Sequence, residues 1–214
     1  MEKNDYPGEF IVFEGLDGSG QSTQAELLEN FLKEKGYDVV KTKEATKTST
    51  VSQEIRDILD KKKKVSPQEL QALFAKDREE HLNNFITPNL KGGKIVISDR
   101  YFFTSFAFGS IDVELSWLIK INNKFLMPDL TFFIDVRPDI CLERIEKRGK
   151  AATLFEEKEK FEKVYKNFKK IIEIFPQIKI INGEKSIGEV FEEIKGVFCN
   201  YAPRDNYVVR SKQK

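Results

Sequence analysis

The residues with the clearest chemistry lie in FEGLDGSGQST, positions 13–23, where an apolar run leads into glycines and hydroxyl side chains. Glycines such as Gly15 and Gly20 let the backbone turn, so that successive N–H groups can point inward at phosphate oxygens. A helix that begins directly afterwards would add the positive end of its dipole. The pattern predicts a loop that binds nucleotide phosphates, formed by Gly15, Leu16, Asp17, Gly18, Ser19, Gly20, Gln21, Ser22 and Thr23.

One position departs from the usual phosphate-loop pattern, which has a lysine where this chain has Gln21. An amide can donate hydrogen bonds but brings no charge, and a hydrogen bond to a charged group is worth about 1.5–3 kcal/mol. We therefore expect weakened catalysis rather than lost binding, unless another cation such as Lys43 or Lys47 reaches the site. Ser22 stands where a hydroxyl would coordinate Mg²⁺. The alternative interpretation is a glycine turn that binds no ligand.

A second candidate site follows the apolar run IVIS, where Asp99 and Arg100 place two charges at the end of a predicted strand. Ligands of parallel α/β folds usually bind at this edge of the sheet. Phosphoryl transfer must bring two polyanions together, and the planar fork of an arginine can bind two phosphate oxygens at once. A phosphate acceptor is already an anion, so the chemistry requires no strong general base. An Asp–Arg pair at a strand end, together with a phosphate-binding loop, is chemically consistent with phosphoryl transfer.

The elements that must position these residues alternate along the chain as short apolar runs and longer helical patterns, which indicates βαβ units. Strands are predicted at residues 10–13, 38–42, 95–98, 130–135 and 178–181. Helices are predicted at about 22–34, 51–59, from 66 onward, 112–123, 139–148, 156–175 and 187–198. We expect one three-layer α/β domain over residues 1–200, with a five-stranded parallel sheet and helices on both faces, followed by a polar tail over 201–214.

The composition excludes several classes of protein. With 40% hydrophobic and 33% charged residues, the chain suits a soluble globular domain rather than a disordered one. A balance of 36 basic against 35 acidic residues argues against nucleic acid as a partner. We expect neither a signal peptide nor a membrane helix, because the N-terminus lacks an apolar core and no apolar run approaches roughly 18–20 residues. Two cysteines without metal-like spacing favour a reducing, cytoplasmic compartment.

Five segments together resemble the thymidylate kinases, a family of P-loop nucleoside monophosphate kinases. They occur in the family's order and are Asp17 within the loop, TKEAT at 42–46, LFAKDREEH at 73–81, ISDRYFFTSFAF at 97–108 and LERIEKRGK at 142–150. The resemblance spans about residues 10–200. It implies transfer of the γ-phosphoryl group of ATP to dTMP, in dTTP synthesis, with Mg²⁺ as cofactor and a homodimer as the expected assembly.

The resemblance also implies a role for each matching residue. Phe74 would stack on the base and Arg78 would hydrogen-bond it, while Asp17 would face the sugar and Arg100 would bind the acceptor phosphate. Asp99, with Ser22, would lie beside Mg²⁺ and the reacting phosphates. The remaining expected acceptor contacts are Glu44, Tyr101, Thr104, Ser105 and Phe108. Lys43 would bridge the two phosphates, and Arg144 and Arg148 would belong to a lid over the donor, at about residues 144–157.

Departures from the family concern the donor side. Besides Gln21, they are Leu154 in place of a lid arginine, and Tyr165 and Phe168 in the next helix. Two functions therefore stay open beside dTMP kinase: a nucleotide-binding homologue that no longer catalyses efficiently, and a kinase for another monophosphate such as dUMP. Simpler interpretations also stay open for single residues. They place Phe74 in the core, Arg78 and Glu79 on a solvated helix face, His81 at a helix surface, Arg144 and Arg148 in pairs with Glu143 or Glu146, and Lys61–Lys64 in a solvated run.

Overall fold

The fold was determined as a computed structural model that describes residues 1–47, 49–149 and 154–201, without the side chains of 154–157. The predicted tail beyond Tyr201 and the middle of the predicted lid, residues 150–153, therefore lie outside the described residues, as does the side chain of Leu154.

Five parallel strands form one sheet in the described part of the chain. They are β1 (Glu9–Gly15), β2 (Val39–Lys43), β3 (Ile95–Asp99), β4 (Leu130–Asp135) and β5 (Lys179–Asn182). Their order across the sheet is β2-β3-β1-β4-β5, with every neighbouring pair parallel. The predicted α/β class with a five-stranded parallel sheet is thus confirmed. Each strand was placed to within two residues, because strands covered on both faces read as short continuous apolar runs.

Helices connect successive strands. They are α1 (Gln21–Glu34), α2 (Thr50–Leu59), α3 (Pro67–His81), α4 (Thr87–Lys91), α5 (Phe102–Gly109), α6 (Leu115–Asn122), α7 (Pro138–Glu146), α8 (Leu154–Ile174) and α9 (Ile187–Tyr201). One π-helical turn, Leu82–Ile86, joins α3 to α4. The predicted start of α3 is confirmed in detail, since Ser66 and Glu69 exchange the two hydrogen bonds of a capping box.

Helix α5 was not predicted. Six of its eight residues are buried, so it has no polar face opposite an apolar one. Without that contrast the 3.6-residue period cannot be read from the sequence. The helix predicted from residue 112 likewise begins later, at Leu115.

The sheet register brings the candidate residues to one edge. Strand β1 is central, and Phe13 near its end pairs with Asp99 of β3, which in turn pairs with Lys43 of β2. The carboxyl ends of β1, β2 and β3 therefore lie side by side. Both predicted sites, the glycine loop and the Asp99–Arg100 pair, open at this edge.

The core supports this edge from both faces of the sheet. Phe10 to Phe13 of β1 are fully buried, and burying a large apolar side chain contributes about 1.5–3 kcal/mol. On one face, Phe168 of α8 packs against Phe133 of β4 with ring centroids 4.9 Å apart. One of the predicted departures from the family, Phe168, is thus a core residue that anchors α8 to the sheet.

Candidate active site

The glycine loop after β1 has the conformation that its sequence predicts. Gly18 and Gly20 have φ angles of 84° and 97°, which residues with a Cβ rarely adopt. Gly15 has no room for a side chain, since a Cβ there would lie 2.5 Å from the Ser19 hydroxyl. The loop closes through a hydrogen bond from Ser19 N–H to the Leu16 carbonyl, 3.1 Å long, and α1 follows it directly. Backbone N–H groups and the helix dipole therefore face the same opening.

Asp99 gathers a cluster of polar groups beside this opening. Its Oδ2 accepts hydrogen bonds from the Ser22 hydroxyl and the Lys43 ammonium, each 2.6 Å away. Its Oδ1 is buried and has no hydrogen-bond partner among the described residues. A carboxylate oxygen left in this way is a free ligand position, and hard oxygen ligands suit Mg²⁺.

Arg100 lies in the mouth of the loop, with a φ of 77° that turns its side chain back towards β1. Its Nη1 donates to the Gly15 carbonyl at 2.9 Å and to the Thr104 hydroxyl at 3.1 Å. Its Nη2 donates to the Asp17 carboxylate at 2.6 Å. The side chain of Gln21, predicted to belong to the phosphate-binding loop, is buried with its amide against the Arg100 guanidinium.

A cavity of about 760 Å³ opens beside Arg100, and it is called the acceptor cavity here because the predicted acceptor contacts line it. Its walls come from α2, α3, α5 and α8 and from the segment that follows β2. Among the residues that line it are all the predicted acceptor contacts: Asp17, Glu44, Phe74, Arg78, Arg100, Tyr101, Thr104, Ser105 and Phe108. The structure thus brings together residues that are up to 91 positions apart in the sequence, from Asp17 to Phe108.

Arg78 forms the floor of this acceptor cavity and is 2% exposed. Its Nε donates to Glu44 at 2.8 Å, while its two Nη groups donate to Asn122 and Ser105. The guanidinium also lies 5.2 Å from the centre of the Tyr101 ring. Since buried charges are tolerated only when they are paired and hydrogen-bonded, this network fixes the position of Arg78. The solvated-face interpretation of Arg78 is wrong.

His81 was expected at a helix surface, and that expectation is also wrong. The ring is buried, with Nδ1 lying 3.2 Å from Glu44 and Nε2 lying 2.6 Å from the Thr42 hydroxyl. Glu44 is therefore held from two sides, by Arg78 and by His81. The sequence signal for burial is weak, because the residues one turn before His81, Asp77 and Arg78, are charged and only Phe85 one turn later is apolar.

Glu14 supports the junction of the two sites from below. It accepts hydrogen bonds from the Tyr101 N–H, at 3.0 Å, and from the Thr104 hydroxyl. Complete burial raises the pKa of this carboxyl to about 7, although hydrogen bonds from Thr104 and the charge of Arg100 oppose the rise. Its charge therefore changes near neutral pH, directly beneath Arg100.

A second cavity, of about 600 Å³, also borders Arg100, and it is called the donor cavity because the glycine loop lines it. The loop residues Gly18, Gly20, Gln21, Ser22 and Thr23 line it, together with Lys43 and Arg148. Arg144 is not among the residues that line its described part, since it lies behind the loop and donates to the carbonyls of Ser19 and Gly183. The interpretation of Arg144 as a partner of Glu143 is not what these bonds show.

Lys160 was missed by the sequence reasoning. It projects from α8 and lines both cavities, as do Asp17, Arg100 and Phe108. No ion pair of Lys160 with another described side chain is present. The signal was available in part, because buried Phe161 and Val164 define the core-facing side of α8 and place Lys160 at its margin.

The other simple interpretations can now be decided in part. Phe74 is partly buried and lines the acceptor cavity, so it is not a fully buried core residue. Lys62 and Lys63, within the basic run, pair with Asp57, Asp60 and Glu54 on the surface, as a solvated run would.

In the described ranges, no helix is long and apolar enough to span a membrane. Nor do these ranges contain a cluster of three metal-ligating side chains.

This arrangement, a phosphate-binding loop at the head of a helix with an Asp–Arg pair opposite and a second cavity beside it, is that of P-loop enzymes that transfer phosphoryl groups between nucleotides. Comparison with known proteins narrows the class. The family model described as thymidylate kinase matches residues 13–194.

Three curated relatives support this assignment, and each aligns with the chain over most of its own length. A probable thymidylate kinase of Thermococcus onnurineus is 40% identical over 193 residues, covering 86% of this chain and 94% of the relative. A probable thymidylate kinase of Pyrococcus horikoshii is 39% identical over 192 residues, covering 87% and 94%. A thymidylate kinase of Caldicellulosiruptor saccharolyticus is 38% identical over 196 residues, covering 89% and 95%. The chain belongs to the thymidylate kinase family.

Proposed function

We propose that this protein transfers the γ-phosphoryl group of ATP to dTMP, giving dTDP and ADP. The observation that carries the proposal is the shared wall between the two cavities. Arg100 and Asp17 line both, so the reacting phosphates of two nucleotides would meet at the guanidinium. Holding two reactants in one geometry removes much of the entropic barrier to their reaction.

The acceptor cavity suits a nucleoside monophosphate with a pyrimidine base. Phe74 offers an aromatic face for stacking, and the fixed Arg78 has donor groups at the cavity floor for a base carbonyl. Asp17 at the rim faces the place of the sugar, and Arg100 that of the phosphate. These roles, like that of Glu44 in holding Arg78, are our proposal for the site residues.

Mg²⁺ fits the cluster at the end of β3. The unpartnered Asp99 Oδ1 and the Ser22 hydroxyl are hard oxygen ligands, and Mg²⁺ usually takes one or two protein groups with its remaining ligands from phosphates and water. Bound there with ATP, the ion would neutralise charge on the transferring phosphoryl group. Lys43, which now pairs with Asp99, would remain close enough to contribute charge.

The transfer itself makes modest demands on the protein. A phosphate oxygen of dTMP forms a bond to the γ-phosphorus while the bond from that phosphorus to the β–γ bridging oxygen breaks, leaving ADP. No proton has to be removed from the nucleophile. What the side chains must do is position both phosphates and stabilise their charge, which the loop N–H groups, Arg100 and Arg148 can do.

Two further expectations rest mainly on the family. We propose a homodimer, which sedimentation of the purified protein would test. We also propose a cytoplasmic location, which suits the free thiols of Cys141 and Cys199.

The test is ADP formation from ATP and dTMP with Mg²⁺. Asp99→Ala should lower turnover by about 100–1,000-fold, the usual effect of losing one stabilising group at a transition state. Asp60→Ala, which removes a surface carboxylate, is the control and should retain parental activity. Turnover unchanged in Asp99→Ala would contradict the proposal. Addition of dUMP and other monophosphates to the same assay decides the acceptor, since better turnover with any of them than with dTMP would replace the proposed substrate.

A further inference from the structure

The amide of Gln21 is held within the loop by three acceptors. Oriented so that donors face acceptors, its nitrogen has two hydrogens for three nearby acceptors, the Leu16 carbonyl at 3.1 Å, the Gly15 carbonyl at 3.2 Å and the Ser19 hydroxyl at 2.8 Å. The side chain is only 4% exposed. Its N–H groups are therefore taken up by acceptors of the loop itself.

The amide oxygen faces the other way and receives two N–H groups of Arg100. The distances are 2.5 Å to Nη2 and 2.9 Å to Nε, so the amide oxygen bridges two edges of the guanidinium. Gly15 and Thr104 take the Nη1 hydrogens, and Asp17 takes the second hydrogen of Nη2. An arginine has five N–H donors, and all five are thereby assigned.

The partners of Arg100 differ in exposure. Gln21, Gly15 and Thr104 hold the guanidinium from the protein side, whereas the Asp17 side chain is 59% exposed and contacts it from the rim shared by both cavities. The Asp17 carboxylate is thus the anion that an incoming phosphate would replace. The other contacts would keep the guanidinium in place during that exchange.

We propose, on the basis of the kinase function above, that Gln21 is a positioning residue for Arg100 and does not itself bind the donor phosphate. By fixing the guanidinium in the wall between the cavities, it lets Arg100 supply at the loop the positive charge that position 21 lacks. Lysine at position 21 could not make these contacts, because its ammonium donates hydrogen bonds and accepts none.

The experiment is a double-mutant cycle with Gln21→Met and Arg100→Met, measuring kcat and KM for dTMP and for ATP, with dTMP affinity by calorimetry. Methionine keeps the length of glutamine and removes its hydrogen bonds. Gln21→Met should lower kcat by roughly 10–100-fold and weaken dTMP binding, while the double variant should be no worse than Arg100→Met. Gln53→Met, on the surface of α2, is the control for the same substitution and should match the parent.

The measured outcomes distinguish a positioning role of Gln21 from direct binding of the donor phosphate. If Gln21 bound the donor phosphate directly, the two losses would multiply, the effect would fall on KM for ATP, and Gln21→Lys would exceed the parent in kcat; any of these overturns the inference. We expect Gln21→Lys to be no faster than the parent. If Gln21→Met does not fold, Gln21→Ala enters the same cycle. A parent that neither binds dTMP nor forms ADP overturns the proposed function as well, whereas a parent with multiplicative losses overturns this inference alone.

Discussion

The acceptor and donor cavities share a wall, yet their polar groups are organised in opposite ways. Charge on the acceptor side is buried and internally paired, with Arg78 held by Glu44, Asn122 and Ser105. The cations that line only the donor cavity, Lys43 and Arg148, are exposed, and Lys160, which lines both cavities, is exposed as well.

This difference bears on how each nucleotide would be recognised. A buried, fully bonded network is rigid and can discriminate between bases, because a base that does not match leaves polar groups unpaired. Exposed cations adapt to a flexible triphosphate but are screened by salt. The rigid hydrogen-bond network thus lies on the acceptor side. Three variants test whether the two cavities differ in this way.

The largest effect should come from Arg78→Met, which leaves Glu44 as a buried carboxylate without its main partner. Breaking a buried pair costs roughly 3–5 kcal/mol, so the free energy of unfolding in denaturant should fall by about this amount. Affinity for dTMP should fall as well.

Two variants sharpen that test. Lys76→Met changes an exposed cation on the same helix and should leave stability nearly unchanged. Adding Glu44→Gln to Arg78→Met removes the orphaned charge and should recover part of the loss. An equal loss of stability in Lys76→Met would show that the effect of Arg78→Met does not come from breaking the buried ion pair.

A smaller effect is expected from pH acting on Glu14. Its pKa of about 7 in the folded protein lies above the ordinary 4.5, so the folded state binds more protons between these values. The contribution of Glu14 to the free energy of unfolding should therefore be greatest below about pH 4.5. It should fall by on the order of 1–3 kcal/mol as the pH rises to 7.

Glu14→Gln removes this titration while keeping an amide oxygen for the Tyr101 N–H. The difference in unfolding free energy between pH 5 and pH 8 should be smaller in this variant than in the parent. If both proteins show the same pH dependence, Glu14 is ionised throughout and the junction is more polar than its burial indicates.

The smallest effect belongs to Lys160, the exposed cation in the wall of both cavities. Lys160→Met should lower kcat by about tenfold, since an exposed charge near the transferring group stabilises it by little more than 1 kcal/mol. Lys158→Met, two residues earlier on α8, is the matched control and should retain activity. A loss in Lys160→Met as large as that expected for Asp99→Ala would mean that the donor side also depends on a fixed charge.

Much of the fold was readable because local signals were strong. The strands are continuous apolar runs, the capping box at Ser66 marks a helix start, and the glycines before α1 mark a turn. Helix α5 was not readable, since Phe102, Phe103 and Phe106 leave no polar face.

The sequence predicts which residues belong to the site, but it does not predict the contacts between them. Asp99 and Arg100 stand out because charge follows an apolar run, whereas the bond between Arg100 and Gln21 joins positions 79 apart and exists only because β1 and β3 are neighbours. Asn122, which binds Arg78 from 44 positions away, carries no local signal at all.

Gly18 limits the ways in which this loop could acquire charge. A Cβ at this position would lie 2.5 Å from the Cys141 carbonyl of α7, and the φ of 84° is itself unfavourable for any other residue. An arginine or lysine could not be introduced here by one substitution without moving α7 away from the loop. A cation that serves this loop must therefore come from side chains that reach in from other elements, as Arg100 does.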